Sequence, residues 1–546
     1  MNRGMRALTS ALLVLVVGGL VGLLALNLLP QLAPGLVAGL GAPAEVSEEP
    51  AAPSPVLPTA SPTAVPLLDD DAPAPDPQVL ARALAPLLED AEDMAFAASV
   101  ADAATGEVLY SHDADRLGVP ASSLKVLTAA AALDVLGPAR TLTTRTVAGA
   151  GDTVVLVGGG DVLLGAGEST TDDAGAGTVG LRRAGLATLA ERTAEALLDA
   201  DAASGGPAAD PASYTVVLDD TLFSGLELSP TWDVSLLTSF NISRVAPIAL
   251  YGARRDGAEG SPRVEDPAMT AAEAFRDALA AALARLHAER AEASAEATAR
   301  ASAAPTPSGT AAVPTDGAAP ASSSPSSESA SPRAADAATG PGPAPAVAAE
   351  VVRGAAAPDA RELGAVESAP LLEQLRFLSE ESDNYAAEAM GRLVAIGSGD
   401  PASFGGAAEA LKDAAARLGA DTSGMSLADS SGLSAANRVS PRQLVEVLAG
   451  AAGSPKPALR ELGYLLPVAG ASGTLEERMT GDATRGLVRA KTGTLAGVAT
   501  LTGTVLTQDG RLLAFSFFGH SIPGDLGPAR AAMDRAAAIL AGCGCR

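Results

Sequence analysis

Lysine is rare in this chain of 546 residues. Of its 37 lysine and arginine residues only four are lysine: Lys125, Lys412, Lys456 and Lys491. A buried lysine can lose its proton and act as a base, whereas arginine stays protonated in proteins. Each of the four is therefore a candidate for a role that arginine cannot fill.

Histidine and cysteine are also rare, and this argues against a zinc centre. The three histidines and two cysteines are too few and too scattered to form one. The sequence also lacks a His-Glu-x-x-His motif, the commonest helical zinc-binding pattern of peptidases. We therefore predict that the protein uses no metal ion and no other cofactor.

Positive charge and aromatic rings are both in short supply. The net charge is −27, so a basic face that could neutralise phosphates is not expected and nucleic acid is excluded as a partner. Aromatic residues make up 3% and hydrophobic residues 47%, which predicts a large core built from Ala, Val and Leu. The length predicts several domains, or one domain with large insertions.

The N-terminus carries a membrane signal. Arg3 and Arg6 precede an apolar run at residues 7–29, close to the roughly 20 residues that span a bilayer. Positive residues on the N-terminal side place that end in the cytoplasm. We predict that residues 1–44 form a single-pass signal anchor in the cell membrane, with the rest of the chain outside the cytoplasm. The alternative is cleavage after Ala44 and secretion.

The rest of the chain divides by composition. Residues 45–77 form an Ala/Pro-rich linker, and residues 291–348 have almost no large apolar side chain, so we predict both to be disordered. Residues 78–145 and 351–546 carry helical and strand patterns, including three C-terminal strands near 487–519 and a closing helix. The prediction is an α+β fold whose core is interrupted by an insertion at residues 146–350.

Ser122 and Lys125 have the spacing of a nucleophile and its base. Residues three apart share a helix face, so the Lys125 amine can reach the Ser122 hydroxyl. A serine needs such a base, and a lysine desolvated beside Leu124 and Val126 can be neutral. The alternative is an N-capping serine with a surface lysine one turn later.

A second motif, Ser382-Asp383-Asn384, lies between two predicted helices. Ser382 and Asn384 are two residues apart and can point into one cleft, where a hydroxyl relays a proton and a carboxamide binds a substrate carbonyl. The alternative is a cap for the helix that follows.

The third motif, Lys491-Thr492-Gly493-Thr494, ends an apolar stretch. On an edge strand, Gly493 would let a substrate approach the backbone, and the free N–H groups would bind an extended peptide. Lys491 and Thr492 could hold a carboxylate. The alternative is an ordinary hairpin turn.

The three motifs in this order are the set found in penicillin-binding proteins and serine β-lactamases. Further segments agree: Pro120 to Lys125, the Gly-Gly-Gly-Asp turn at 158–161, Asp219-Asp220-Thr221-Leu222-Phe223 and residues 429–434. The chain resembles the D-alanyl-D-alanine carboxypeptidase/endopeptidase family, the low-molecular-mass class C penicillin-binding proteins. Two extra domains between the first two motifs are typical of that family, whereas a class A β-lactamase has a much shorter gap.

The resemblance implies a penicillin-binding-protein/serine β-lactamase-like core, an antiparallel sheet with flanking helices. It implies that Ser122 attacks a terminal D-Ala-D-Ala bond of a peptidoglycan peptide with Lys125 as base, and that Ser382 and Lys491 relay the proton. Asn384 would hold the substrate amide, Thr492 and Lys491 its carboxylate, and the N–H groups of Ser122 and Thr494 the oxyanion. β-Lactams would be inhibitors. The competing hypotheses are a non-catalytic peptidoglycan-binding envelope protein and a serine β-lactamase.

Overall fold

The computed structural model describes residues 72–88, 94–170, 181–203, 213–258, 260–303 and 344–543. The predicted anchor (1–44), most of the predicted linker (45–77) and residues 304–343 lie outside the described residues. Within the described ranges, no helix combines the length and the apolar character that crossing a bilayer requires.

The described residues form two sheets, and the strands of the second sheet come between those of the first along the chain. The helices are α1 (Pro77–Leu88), α2 (Lys125–Val135), α3 (Leu186–Ala203), α4 (Pro267–Ala303), α5 (Leu371–Glu380), α6 (Asn384–Ser398), α7 (Phe404–Arg417), α8 (Pro441–Ala452) and α9 (Gly527–Ala541). The strands are β1 (Ala95–Asp102), β2 (Val108–His112), β3 (Thr143–Ala148), β4 (Thr153–Val157), β5 (Ser213–Asp219), β6 (Ala346–Arg353), β7 (Glu362–Glu367), β8 (Val488–Leu495), β9 (Val498–Leu506) and β10 (Leu512–His520). Short helical turns occur at Ala121–Leu124, Ser235–Thr238, Tyr251–Ala253, Pro457–Arg460, Glu461–Leu465 and Gly473–Leu475.

The first sheet is antiparallel and joins the two ends of the described chain. Its strand order is β2-β1-β10-β9-β8, so β1 pairs with β10, with Phe96 opposite Gly519. Side chains alternate across each strand, and β10 therefore sends Phe515 and Phe517 into one core and Phe518 into another. The strand β8 forms one edge of this sheet.

Helices cover both faces of the first sheet. Leu80 and Leu84 of α1 are four residues apart, share a face and are buried with Met533 of α9 against Phe515. Helices α2, α5, α6, α7 and α8 supply the second core, on the other face. This arrangement confirms the predicted α+β fold, with its antiparallel sheet and flanking helices.

The second sheet belongs to the insertion. Its order is β6-β5-β4-β3-β7, with β4, β5 and β6 parallel and β3 antiparallel to β4 and β7. Apolar side chains of α3 and α4, Leu189 and Phe275 among them, are buried against it. Strand β7 pairs with β3, so the insertion extends past the predicted boundary at 351 to Glu367.

The prediction of disorder over 291–348 is wrong at both ends. Helix α4 continues to Ala303, where Ala, Glu and Arg are strong helix formers and Arg300 pairs with Glu296 one turn earlier at 3.1 Å. Strand β6 begins at Ala346 because its valines pair with β5. The prediction took the near absence of large apolar side chains to mean disorder and overlooked that alanine-rich segments form helices readily.

A buried arginine fastens the insertion to the core. Arg392 of α6 donates from Nη1 to the carbonyl of Ser224 at 3.2 Å and from Nη2 to that of Leu226 at 2.6 Å. Its guanidinium also lies 4.6 Å from the centroid of the Phe404 ring. Hydrogen bonds donated by a charged group are among the stronger hydrogen bonds in proteins.

Replacing Arg392 with methionine (Arg392→Met) should destabilise the protein. The variant keeps an apolar side chain but removes the charged donor of the bonds to the Ser224 and Leu226 carbonyls, so we expect a loss of about 2–4 kcal/mol in the free energy of unfolding. Urea unfolding followed by circular dichroism measures it. Arg300→Met is the matched control, since Arg300 is exposed, and it should change stability by less than about 0.5 kcal/mol. Equal unfolding midpoints for the two variants would contradict this account.

Candidate active site

Ser122 lies in a short helical turn that leads into α2. The turn covers Ala121–Leu124, and Ala121 adopts a φ of 45°, a left-handed conformation that non-glycine residues rarely take. Gly432 packs directly against it. A Cβ on Gly432 would lie 1.8 Å from the Ala121 carbonyl oxygen, so only glycine allows the 429–434 loop to approach the serine this closely.

The Lys125 amine contacts three oxygen atoms. Its Nζ lies 3.0 Å from Ser122 Oγ, 2.7 Å from Asn384 Oδ1 and 2.8 Å from the Ser431 carbonyl oxygen. A neutral amine has two N–H groups and one lone pair. With the N–H groups directed at Asn384 and Ser431, the lone pair faces the Ser122 hydroxyl.

Burial makes that neutral form accessible. Lys125 is fully buried, and burial lowers its pKa to about 8. Arg263 acts in the same direction, while the carboxylates of Asp383, Asp429 and Glu388 oppose it. A substantial fraction of Lys125 is therefore unprotonated at mildly alkaline pH.

Asp383 caps the N-terminus of α6, as the alternative interpretation of its motif predicted. Its Oδ1 accepts from the Ala386 N–H at 2.9 Å and caps α6. Its Oδ2 pairs with Arg263 at 2.9 Å and with Arg254 at 3.6 Å. Burial alone would raise the pKa of Asp383, but these partners hold it below its usual value. The cap and the catalytic reading of the motif are thus compatible.

The two neighbours of Asp383 face the cleft. Ser382 adopts a φ of 54° and lies on the cavity wall. Asn384 is held at both ends of its amide, because Oδ1 accepts from Lys125 and Nδ2 donates to the Asn241 carbonyl at 3.1 Å. The insertion therefore fixes which way the Asn384 amide points.

Lys491 is a second buried lysine, on edge strand β8. Its Nζ donates to the Thr492 carbonyl at 3.0 Å. Burial, followed by the charges of Lys125 and Arg478, lowers the pKa of Lys491 well below its usual value. Thr492 lies at the cavity wall, and its hydroxyl bonds to that of Thr474 at 2.9 Å.

Gly493 sits where β8 packs against the serine turn. A Cβ there would lie 2.0 Å from Thr500 Oγ1 and 2.9 Å from the Pro120 carbonyl oxygen. Thr500 Oγ1 itself donates to that carbonyl at 2.9 Å. Glycine thus brings the strand close to Ser122 and places the Thr494 backbone at the same cavity.

The motifs meet around one cavity of about 410 Å³. Ser122, Ser382, Asn384, Thr492 and Thr494 line it. The insertion supplies the opposite wall, through Leu236, Phe240, Asn241, Arg254 and Arg263. An extended peptide could thus lie beside β8 with its carbonyl near Ser122.

Several residues of this site were not predicted as such from the sequence. Asn241 and Ser431 act through backbone carbonyls, which carry no sequence signal, although the loop containing Ser431 was noted for its resemblance. Glu388 is buried and lies four residues after Asn384. Nothing in the sequence distinguishes it from any other polar residue of a helix. Among the described residues, no group of three or more His, Cys, Asp or Glu side chains could hold a metal ion.

Comparison with known proteins identifies the family. The model of the D-Ala-D-Ala carboxypeptidase 3 (S13) family matches residues 80–540. The chain is 33% identical over 510 residues to carboxypeptidase Rv3627c of Mycobacterium tuberculosis, and 34% identical over 501 residues to carboxypeptidase DacB of Mycolicibacterium smegmatis. Each alignment covers 90% of this chain and 90% of the relative.

A solved structure shares the fold. Penicillin binding protein 4 (dacB) from Haemophilus influenzae matches with a TM-score of 0.53 and 18% identity, covering 85% of this chain and 98% of that one. The family match spans all three motifs, and the resemblance drawn from them is confirmed. The chain belongs to the D-Ala-D-Ala carboxypeptidase 3 (S13) family of serine-type peptidases.

Proposed function

We propose that this chain hydrolyses the terminal D-Ala-D-Ala bond of peptidoglycan stem peptides through a Ser122 acyl-enzyme. The observation that carries the proposal is the contact of Lys125 Nζ with Ser122 Oγ, at 3.0 Å, in a fully buried environment. A hydroxyl within hydrogen-bond reach of an amine that can be neutral is an activated nucleophile.

In the acylation step, Lys125 takes the Ser122 proton as Oγ attacks the penultimate D-Ala carbonyl carbon. The backbone N–H groups of Ser122 and Thr494 would stabilise the oxyanion. When the tetrahedral intermediate collapses, the C–N bond breaks and the leaving amine of the terminal D-Ala receives the proton. Ser382 and Lys491 would relay it. Thr492 and Lys491 would hold the terminal carboxylate.

Water completes the cycle. Lys125, neutral again, removes a proton from a water molecule that attacks the ester carbon. The Ser122–carbonyl bond breaks, Oγ regains a proton, and the shortened peptide leaves with a free carboxylate. A β-lactam would acylate the same hydroxyl but keep its amine leaving group tethered, which would favour a long-lived adduct.

Ser122→Ala should abolish both reactions. We expect no D-alanine release from a pentapeptide and no covalent labelling by fluorescent penicillin, because Ser122 Oγ is the one hydroxyl within the described residues that contacts Lys125 Nζ. Ser123→Ala is the matched control: Ser123 Oγ lies 2.8 Å from Thr500 Oγ1, away from the Lys125 amine, and labelling should persist. Penicillin labelling of Ser122→Ala would refute the proposal.

The wild type distinguishes the two alternative functions. Penicillin binding without D-alanine release would favour the non-catalytic alternative, and rapid nitrocefin turnover would favour a β-lactamase.

The pKa of Lys125 predicts the pH dependence. Only the neutral amine accepts the proton, so the acylation rate should rise as pH increases through about 8. Well below that pH, each unit should lower the rate about tenfold. Lys125→Arg should lose this limb and about 10²–10⁴ in rate, since arginine cannot be deprotonated. Stopped-flow acylation between pH 6 and about 10 tests it. A rate independent of pH across that range would rule out Lys125 as the base.

We also propose that residues 1–44 anchor the protein in the cell membrane with the catalytic part outside. The support is the apolar run at 7–29 behind Arg3 and Arg6. A C-terminal tag on the full chain should be digested by protease added to intact protoplasts, and the protein should stay in the membrane fraction after an alkaline wash. A protected tag would contradict the orientation. A mature N-terminus at Glu45 would show cleavage and secretion instead.

A further inference from the structure

Glu388 is a buried carboxyl group that the proposed reaction does not use. It lies on α6, four residues after Asn384, so both side chains project from the same face of the helix. It is 1% exposed. A carboxyl group is rarely buried to this extent without a specific partner.

The partners of Glu388 are backbone N–H groups of the loop beside Lys125. Its Oε1 accepts from the Ser431 N–H at 2.7 Å and from the Ser430 N–H at 3.1 Å. Its Oε2 lies 3.3 Å from the Ser430 nitrogen. The carbonyl of the same Ser431 accepts from Lys125 Nζ at 2.8 Å. One residue, Ser431, thus connects the carboxyl group to the catalytic amine.

Two carboxyl groups, Asp429 and Glu388, hold the backbone of the 429–434 loop, and each acts on a different side of it. Asp429 accepts from the Gly432 and Ser434 N–H groups at 3.0 and 2.6 Å, which shapes the far side of the turn. The near side, which carries the carbonyl directed at Lys125, bonds through its N–H groups to Glu388. Loss of these acceptors would release the end of the loop that orients the base.

Charges around Glu388 link its ionisation to that of Lys125. The Asp429 carboxylate of the loop acts on Glu388, and Glu388 in turn acts on Lys125 of α2 and on Arg392 of α6. Burial, then Asp429, raises the pKa of Glu388 to about 8, against the Ser431 and Ser430 hydrogen bonds. When ionised, Glu388 favours the Lys125 ammonium; when protonated, it no longer does.

We propose that Glu388 is a positioning residue for acylation, which holds the Ser430–Ser431 backbone so that the Ser431 carbonyl orients the Lys125 amine, and whose charge sets how readily that amine becomes neutral. This inference rests on the proposed function, in which Lys125 is the base for Ser122. It makes two separable statements, one about geometry and one about charge, and different substitutions address them.

Glu388→Gln tests the charge. Glutamine keeps an oxygen that can accept from Ser431 but cannot ionise, so the Lys125 ammonium loses a stabilising anion. The acid limb of the acylation profile should then move to lower pH, by about half a unit or more, while the plateau rate at high pH stays within about threefold of wild type. Glu409→Gln is the matched control: it removes the same charge from an exposed position on α7 and should leave the profile unchanged.

Glu388→Ala tests the geometry. It removes both acceptors, so the plateau acylation rate should fall about tenfold or more while the variant still unfolds cooperatively. If this variant does not fold, Glu388→Asp takes its place. The shorter side chain retains the charge but withdraws the acceptor, so it should lower the plateau without moving the limb to lower pH.

Both statements are tested by measuring the rate of penicillin acylation from pH 6 to about 10 for each variant, together with its thermal unfolding. An unchanged limb in Glu388→Gln would overturn the charge statement. A plateau in Glu388→Ala or Glu388→Asp equal to wild type would overturn the geometric one. Failure of the proposed function looks different: the wild type itself would then lack Ser122-dependent acylation or a pH limb, and both proposals would fall.

Discussion

The structure of the active site depends on one constraint, the burial of the Lys125 amine among three oxygen acceptors. An ammonium taken out of water is unstable without compensation, and here the compensation is incomplete, so the pKa falls to about 8. The acceptors come from three distant parts of the chain: the serine turn, the start of α6 and the 429–434 loop. Each of these segments has a feature that permits the approach, namely the left-handed Ala121, the Asp383 cap and the glycine at 432. Folding of the core therefore brings these three segments together and creates the environment in which Lys125 can act as a base.

The insertion takes part in that assembly and is more than an appended domain. Arg263 pairs with Asp383, and the Asn241 carbonyl fixes the Asn384 amide. Trp232 donates from Nε1 to Asp429 at 2.8 Å, in the loop whose next residues approach Lys125. The insertion thus contacts two of the three segments around the amine as well as lining the cavity. Without the insertion, Asp383 would lose both arginine partners, and the Asn384 amide would be held only at Oδ1, by Lys125.

The sequence was sufficient for the core fold and for the residues whose identity carries chemistry. Ser122 and Lys125 are close in sequence, so helical spacing alone brought them together, and the three motifs supplied the rest of the cavity wall. What could not be predicted are contacts made by backbone atoms across long separations, such as Ser431 to Lys125 or Asn241 to Asn384, because any residue type offers a carbonyl. The scarcity of lysine pointed to the active site for only two of the four lysines, Lys125 and Lys491. Lys456 is exposed and pairs with Asp134 at 2.6 Å, and Lys412 has no predicted catalytic role. The prediction was wrong at the ends of the 291–348 tract because the near absence of large apolar side chains was taken to mean disorder.

Lys491 shows how the structure refines a role that spacing suggested. As an anion-binding residue it would be expected at the surface of the cleft, yet it is fully buried and its ammonium faces the Thr492 carbonyl. The charges of Lys125 and Lys491 disfavour each other, so conditions that stabilise one ammonium make the other amine easier to deprotonate. In the proposed reaction, a substrate carboxylate beside Lys491 would stabilise that ammonium, and the negative charge of the carboxylate would offset the effect of the ammonium on Lys125. Both lysines are fully buried, so solvent screens the interaction between their charges only weakly.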